Sequence, residues 1–164
     1  MIRKACLDDE EYLERYLQKV VCENLPVLYA KTEPPSLEKV VDFIRSHFNP
    51  NKLLLVAVND CGQIIGMLDA SVDKNSQRSH CASFGMSVLN EFRRQGVGRS
   101  LLDELFVWSE KNRLKRIELE VFSNNFPAIE LYRETGFAVE GIKREAVRVE
   151  SDYIDIICMV RRSD

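Results

Sequence analysis

The stretch EFRRQGVGRSLL, residues 91–102, decides how the rest of the chain is interpreted. It places Gly96 and Gly98 where an apolar helical repeat begins at Val97. A glycine within a helix costs about 0.5–1 kcal/mol relative to alanine, so two of them at this point indicate a need for bare backbone. The stretch therefore predicts a turn that exposes main-chain amides at the start of a helix.

Three segments before this turn have the length and composition of strands. KLLLVAVND (52–60) and QIIGMLDASV (63–72) are apolar runs joined by a short turn that ends at Gly62, which predicts a hairpin. HCASFGMSV (80–88) predicts a third strand, in which Gly85 indicates a bulge.

The segments after the turn alternate between helix and strand. An apolar stripe predicts a helix over 97–111, and KRIELEVF (115–122) alternates as a strand does. A short helix follows Asn125, and two strands near 137–149 and 153–161 close the chain.

The N-terminal part adds a strand at 2–6, a helix after Asp8 and a second helix beyond Pro34 and Pro35. The predicted order is β, α, α, β, β, β, α, β, α, β, β. Mixed strands with crossover helices predict one twisted sheet of six to seven strands, flanked by about four helices. The expected fold class is α/β (α+β), as a single domain over residues 1–164.

Composition narrows the class of protein. The chain has 164 residues, 45% hydrophobic content and a net charge of −3, so it lacks a broad basic field and we expect no nucleic-acid partner. Its apolar runs are too short for a bilayer and no signal-peptide pattern is visible. We therefore expect no membrane partner and a cytoplasmic location.

Cysteine and histidine usage argues against a metal site. The five cysteines are odd in number and form no CxxC pair, which predicts free, reduced thiols. His47 and His80 stand apart from any paired cysteines, so we expect no bound metal.

The glycine turn has the chemistry of a pyrophosphate site. A helix start carries up to four unpaired N–H groups and about half a positive charge, and Arg93, Arg94 and Arg99 add cations. The dinucleotide fingerprint GxGxxG fails because Leu101 occupies the third glycine position, and the GxxxxGK[ST] loop is absent. A glycine turn with a surface charge cluster is the alternative.

Two motifs together resemble the GNAT superfamily of N-acetyltransferases. R-x-x-G-x-G at 93–98 is similar to its acetyl-CoA motif, and LEVFSNN (119–125) with AIELYRETGF (128–137) is similar to its second conserved block. The spacing of that block resembles the ribosomal-protein N-terminal acetyltransferases, whereas residues 140–160 resemble amino-acid and polyamine-type enzymes of bacteria. The resemblance covers the chain from end to end and implies one GNAT-type domain.

The resemblance implies acetyl-CoA as cosubstrate and a place for it. In the family, the pantetheine arm lies in an opening beside the strand that precedes the glycine turn, and the pyrophosphate lies on the helix-start amides. A backbone N–H near Val88 would stabilise the carbonyl oxygen, and a plain helix cap is the alternative role for Asn125. Carried onto this chain, the cofactor positions are Met86, Ser87, Val88, Arg93, Arg94, Gln95, Gly96, Val97, Gly98, Arg99, Ser100 and Asn125.

The resemblance also implies catalytic residues. Tyr132 matches the tyrosine that protonates the leaving thiolate, and Glu120 matches a proposed general base. Glu118, His80 or ordered water are alternatives for the base. A covalent route through Cys81 or Cys158 lacks a His/Asp partner pattern and is disfavoured. Core tyrosine and solvated strand face are the structural alternatives for Tyr132 and Glu120.

The expected reaction moves the acetyl group of acetyl-CoA to a primary amine of a small molecule or amino acid, by direct attack on the thioester. Alternatives are a protein N-terminal acetyltransferase and an acetyl-CoA-binding sensor without turnover. The partner is therefore a small-molecule amine or a peptide N-terminus, and the terminal hairpin suggests a homodimer. Candidate acceptor-site residues are Glu23, Asn24, Leu25, Tyr29, Phe84 and Tyr153.

Overall fold

A computed structural model describes residues 1–23, 33–149 and 151–163. Within them, the helices are α1 (Glu10–Cys22), α2 (Leu37–Ser46), α3 (Val97–Lys111) and α4 (Phe126–Glu134). The strands are β1 (Ile2–Lys4), β2 (Lys52–Val58), β3 (Ile64–Val72), β4 (Cys81–Val88), β5 (Arg116–Phe122), β6 (Ala138–Val149) and β7 (Asp152–Arg162). The predicted order of elements is confirmed.

One seven-stranded sheet runs in the order β1-β2-β3-β4-β5-β7-β6. Every neighbouring pair is antiparallel except β4 and β5, which are parallel and are joined through α3. The expected mixed α/β sheet flanked by four helices is therefore confirmed. None of the helices that the structure describes is long and apolar enough to span a membrane.

The sheet separates two apolar cores. On one face, Leu105 of α3 and Ile129 of α4 pack with Ile117 of β5. On the other face, Leu13 of α1 and Ile44 of α2 pack against β2. Because helices cover both faces of β2, its sequence is a continuous apolar run rather than an alternation. Each fully buried leucine or isoleucine contributes about 1.5–3 kcal/mol to the stability of the fold. The two cores therefore hold the helices firmly on the sheet.

Two local predictions need correction. Gly85 does not form a bulge, because the pairing of β3 with β4 is unbroken from Gly66–Val88 to Val72–Ala82. The first strand ends at Lys4 rather than at residue 6, since the chain there turns into a 3-10 turn that leads into α1. The predicted β2–β3 turn is confirmed, with Gly62 at a φ of 78°.

Candidate active site

The site lies where β4 and β5 part. Among the described residues their pairing runs from Cys81–Arg116 to Ser83–Glu118 and then stops. β4 itself continues to Val88 and stays paired with β3. A gap therefore opens beside the second half of β4.

The alternation of hydrogen bonds along β4 determines which of its peptide groups face this gap. The Leu89 N–H donates to Ile65 O at 3.0 Å, and the Asp73 N–H donates to Cys81 O at 2.9 Å. Bonded and non-bonded pairs alternate along an antiparallel ladder, so the odd-numbered residues of β4 bond to β3. The peptide groups of the even-numbered residues consequently point into the gap.

Met86 and Val88 are therefore the residues whose main chain faces the gap. The Val88 carbonyl accepts a hydrogen bond from Arg93 Nε at 3.0 Å. The Val88 N–H points toward the opening and remains available to a ligand. Ser87 lines the same cavity, but its peptide belongs to the ladder with β3, so its main chain faces away from the gap. Its hydroxyl instead shares a hydrogen bond of 2.8 Å with the Tyr16 hydroxyl of α1.

The start of α3 presents bare main chain. Gly96 lies in the left-handed region at a φ of 82°, Arg94 does so at 59°, and no side chain caps the helix. A Cβ on Gly96 would meet nothing within 4 Å, whereas a Cβ on Gly98 would lie 3.0 Å from Leu131 Cδ2. Gly96 thus faces open space, whereas a side chain at Gly98 would press on Leu131 of α4. The Ser100 N–H already donates to Gly96 O at 3.0 Å, so its amide is not available.

The arginines around this helix start are exposed and partly paired. Arg94 lies 3.6 Å from a carboxylate oxygen of Glu130, and Arg99 lies 2.6 Å from one of Glu134. Arg93 bonds to the main chain of β4. Exposed pairs of this kind are weak, so these cations can turn toward an anion at little cost.

One cavity of about 1130 Å³ joins the gap, the start of α3 and α4. All the predicted site residues except Gln95 and Ser100 line this cavity. The Gln95 amide donates to Glu91 O at 2.8 Å and lies off the cavity wall. The predicted residues that line the cavity are Met86, Ser87, Val88, Arg93, Arg94, Gly96, Val97, Gly98, Arg99, Glu120, Asn125 and Tyr132.

Tyr132 projects from α4 into the wall of this cavity. Its ring packs against Phe84 and Phe137 at centroid distances of 5.9 and 5.7 Å. Burial raises the pKa of Tyr132 to about 12, so its hydroxyl is protonated at neutral pH. Among the described residues the hydroxyl has no hydrogen-bond partner, yet it is not sealed from solvent. It can therefore donate a proton to a group in the cavity.

Asn125 precedes α4 and also lines the cavity. Its carbonyl accepts the Ile129 N–H at 3.1 Å, but its side chain makes no capping hydrogen bond. The side-chain amide therefore has its donors and acceptor available to a ligand, and the plain-cap alternative does not account for it.

Both glutamates considered as bases are held by cations. Arg78 and Arg116 bond the Glu118 carboxylate, and together they lower its pKa although burial raises it. Lys143 of β6 forms an ion pair with Glu120. The lowered pKa of Glu118 weakens it as a proton acceptor, and the Glu120 carboxylate already has a cationic partner.

Asp69 is the residue that the sequence analysis missed. It lies on β3 opposite Gly85 of β4 and lines the same cavity as Tyr132. In the sequence, Asp69 is a single acidic residue within the apolar run 63–72. Because that run is interpreted as a hairpin strand, its one carboxylate is not considered for the site.

The candidate acceptor-site residues lie in different parts of the structure. Glu23 accepts the Asn90 N–H at 3.0 Å, Phe84 lines the cavity beside Tyr132, and Tyr153 is exposed on β7. Asn24, Leu25 and Tyr29 lie outside the described residues.

Three other reactive side chains are poorly placed. His80 is exposed and does not line the cavity, and Cys81 is buried. Cys158 does line it, but burial raises the pKa of its thiol and so disfavours the nucleophilic thiolate.

Comparison with known proteins identifies the family. The model of the acetyltransferase (GNAT) family matches residues 13–137. The chain belongs to the acetyltransferase (GNAT) family. The expected resemblance is thereby confirmed, and the GNAT match includes β4, the glycine turn, α3, β5 and α4, which provide most of the cavity lining.

Among curated relatives, the L-amino acid N-acetyltransferase AaaT of Escherichia coli is 36% identical over 108 residues, covering 65% of this chain and 66% of that protein. The [ribosomal protein bS18]-alanine N-acetyltransferase of Escherichia coli is 36% identical over 76 residues, covering 46% and 51%. The chain thus matches less than two thirds of the length of either relative.

Among solved structures, a GNAT-superfamily phosphinothricin acetyltransferase from Sinorhizobium meliloti, in complex with acetyl-CoA, superposes with a TM-score of 0.88. The two chains are 20% identical, and the match covers 99% of this chain and 87% of that one. At this identity the likeness establishes the GNAT fold alone.

Proposed function

We propose that the protein transfers the acetyl group of acetyl-CoA to the primary amine of an amino acid or another small molecule. The observation that carries this proposal is one cavity that joins the β4–β5 gap, the bare start of α3 and Tyr132. The similarity to an L-amino acid N-acetyltransferase supports the class of acceptor.

Acetyl-CoA supplies an acetyl group activated as a thioester. The peptide groups of Met86 and Val88 offer one edge of the gap to an amide-containing arm, as an added strand would require. The first-turn amides of α3 and the open space at Gly96 suit a pyrophosphate. Arg93, Arg94 and Arg99 add positive charge, and Asn125 offers its side chain.

Two protein groups fit the requirements of acyl transfer. The Val88 N–H faces the gap and can stabilise negative charge on the carbonyl oxygen. Tyr132 holds a proton at neutral pH and can give it to the leaving sulfur. Glu120 remains a predicted base, acting through water, although its carboxylate is paired with Lys143.

A second candidate function is acetylation of protein N-termini. The similarity to the bS18-alanine N-acetyltransferase favours it, and the spacing of Glu120, Asn125 and Tyr132 resembles that branch. The cavity is open at the surface, so a peptide end could enter as well as a free amino acid.

The test is a thiol-release assay with purified protein and acetyl-CoA. Acceptors are offered in turn: the L-amino acids, polyamines, aminoglycosides and peptides with free N-termini, with products identified by mass spectrometry. Release with amino acids or other small amines supports the proposal, and release with peptides alone supports the second candidate. Acetyl-CoA binding without release for any acceptor indicates a sensor and contradicts both.

A further inference from the structure

We propose that the Asp69 carboxylate, rather than Glu120 or Glu118, takes the proton that the acceptor's ammonium group must lose before it can attack. This inference rests on the proposed function and names the general base of that reaction. It follows from the position of Asp69, from its lack of a cationic partner and from its surroundings.

The position of Asp69 is set by strand register. It lies directly opposite Gly85, two residues beyond Ser83, where the pairing of β4 with β5 ends. Side chains of directly opposed residues share one face of a sheet, so Asp69 would face a side chain at position 85. Gly85 has none, and a Cβ there would lie 3.2 Å from Asp69 Oδ1. The carboxylate therefore reaches toward the gap over bare backbone.

The face of the sheet on which Asp69 lies is the one away from α3 and α4. Gly66 and Ala70 on β3 pack toward α3, so Met67 and Asp69 alternate to the side of α1 and α2. Tyr132 reaches the same cavity from α4 on the opposite face. A thioester in the gap would thus have Tyr132 on one side and Asp69 on the other, which suits a proton donor and a proton acceptor.

Asp69 also differs from the two glutamates in its partners. Within the described residues, no other residue gives its carboxylate a hydrogen bond or an ion pair. Glu118 is bonded by Arg78 and Arg116, and Glu120 by Lys143. An ammonium entering the cavity would find in Asp69 a carboxylate that is not already neutralised by a cation.

The surroundings of Asp69 strengthen it as a base. Burial raises the pKa of Asp69, while His47 after α2, the main chain of Asp69 itself and Lys52 at the start of β2 lower it by less. Opposite it, β2 presents Leu54 and β4 presents Gly85, neither of which titrates. Tyr16 of α1 is protonated, because burial raises its pKa further above the ordinary value. A carboxylate whose charge is destabilised accepts a proton more readily than an ordinary aspartate does.

One ammonium proton moves to a carboxylate oxygen of Asp69, and the freed nitrogen lone pair forms the C–N bond while the C–S bond breaks. The leaving sulfur takes the hydroxyl proton of Tyr132. The second proton lost by the nitrogen restores the Tyr132 hydroxyl, and Asp69 releases its own proton to water.

The experiment compares wild type with Asp69→Asn, using the amino acid that wild type acetylates fastest. We expect kcat/KM at pH 7 to fall by about 10²-fold or more. The deficit should shrink as the pH approaches the acceptor's own pKa, because solvent then supplies the neutral amine. Affinity for acetyl-CoA, measured by calorimetry, should stay unchanged. Asp60→Asn, an exposed residue of the β2–β3 turn, is the matched control and should behave as wild type.

Several results would overturn the inference. A pH-independent loss in Asp69→Asn would indicate a structural role, and full activity would exclude the residue. A larger loss in Glu120→Gln, with the same recovery at high pH, would assign the base to Glu120. Asp69→Ser gives the same comparison if the asparagine variant does not fold. Wild type without turnover contradicts the proposed function itself, whereas an active wild type with an active Asp69→Asn contradicts this inference alone.

Discussion

Gly96 has a backbone conformation that side chains oppose. Its φ of 82° is left-handed, and a residue with a Cβ pays roughly 1–2 kcal/mol there. We expect Gly96→Ala to lower the free energy of unfolding by about that amount, as measured by urea denaturation. Gly141→Ala is the control, because Gly141 lacks a positive φ and a Cβ would meet nothing within 4 Å. Equal stability of the two variants would show that the turn relaxes without cost.

Two buried tyrosines use their hydroxyls differently. The Tyr132 hydroxyl has no partner among the described residues, so Tyr132→Phe should change stability by less than about 0.5 kcal/mol. If it protonates the leaving sulfur, kcat should fall by about 10²-fold with acetyl-CoA affinity unchanged. The Tyr16 hydroxyl bonds Ser87, so Tyr16→Phe should cost about 1–1.5 kcal/mol in unfolding free energy. An active Tyr132→Phe would remove this residue from the mechanism.

At the residue level, the sequence predicts a site residue where chemistry and motif coincide, and it is silent where strand register decides. The glycine turn and Tyr132 carry their chemistry in the sequence. Asp69 does not, because its relation to the gap depends on facing Gly85 across two strands. The direction of the Ser87 peptide is hidden for the same reason, because the sequence does not say which peptide groups point toward β3.

At the level of elements, the order of strands and helices followed from hydrophobic periodicity and from glycine and proline positions. The order of strands in the sheet, however, cannot be predicted from local sequence patterns. β7 inserts between β5 and β6, and β4 leaves β5 after three paired residues. Both are properties of long-range pairing, so the gap that holds the site could be anticipated only through resemblance to a family.

The junction of β1 with α1 depends on one ion pair. Asp9 is buried and accepts two hydrogen bonds of 2.6 Å from Arg3, and one of 2.9 Å from the Cys6 N–H. Because Arg3 is partly exposed, we expect Asp9→Asn to cost only about 1–2 kcal/mol at pH 7. Glu11→Gln removes an exposed pair with Arg15 and serves as a neutral control.

The contribution of this ion pair to the free energy of unfolding should decrease in acid. The hydrogen bonds from Arg3 lower the pKa of Asp9, although burial opposes this. A lowered pKa stabilises the fold above the unfolded value of about 3.9, and the contribution is lost as the pH falls through the folded value. The difference between wild type and Asp9→Asn in urea should therefore shrink below about pH 4. A difference that persists unchanged in acid would contradict this account.

For the whole molecule, the predicted homodimer concerns the end of the sheet. β6 is an edge strand that pairs with β7 alone, and it exposes Val139, Ile142 and Val149. Exposed apolar edge strands favour pairing with another chain. We expect light scattering to give a mass near twice 19.0 kDa, and Ile142→Lys to reduce it to that of one chain. Val107→Lys, an exposed residue of α3, is the control, and a monomeric wild type would contradict the prediction.

Binding of coenzyme A at the start of α3 should stabilise the entire fold, because a ligand that binds only the folded state adds RT ln(1 + [L]/Kd). At a hundredfold excess over Kd this amounts to about 2.7 kcal/mol, which raises the Tm of a domain of this size by roughly 5–11 °C. Pantetheine, which lacks the pyrophosphate, should stabilise far less at the same concentration, since it cannot use the amides and arginines around Gly96. Equal shifts in Tm for the two ligands would mean that the glycine turn does not hold the pyrophosphate.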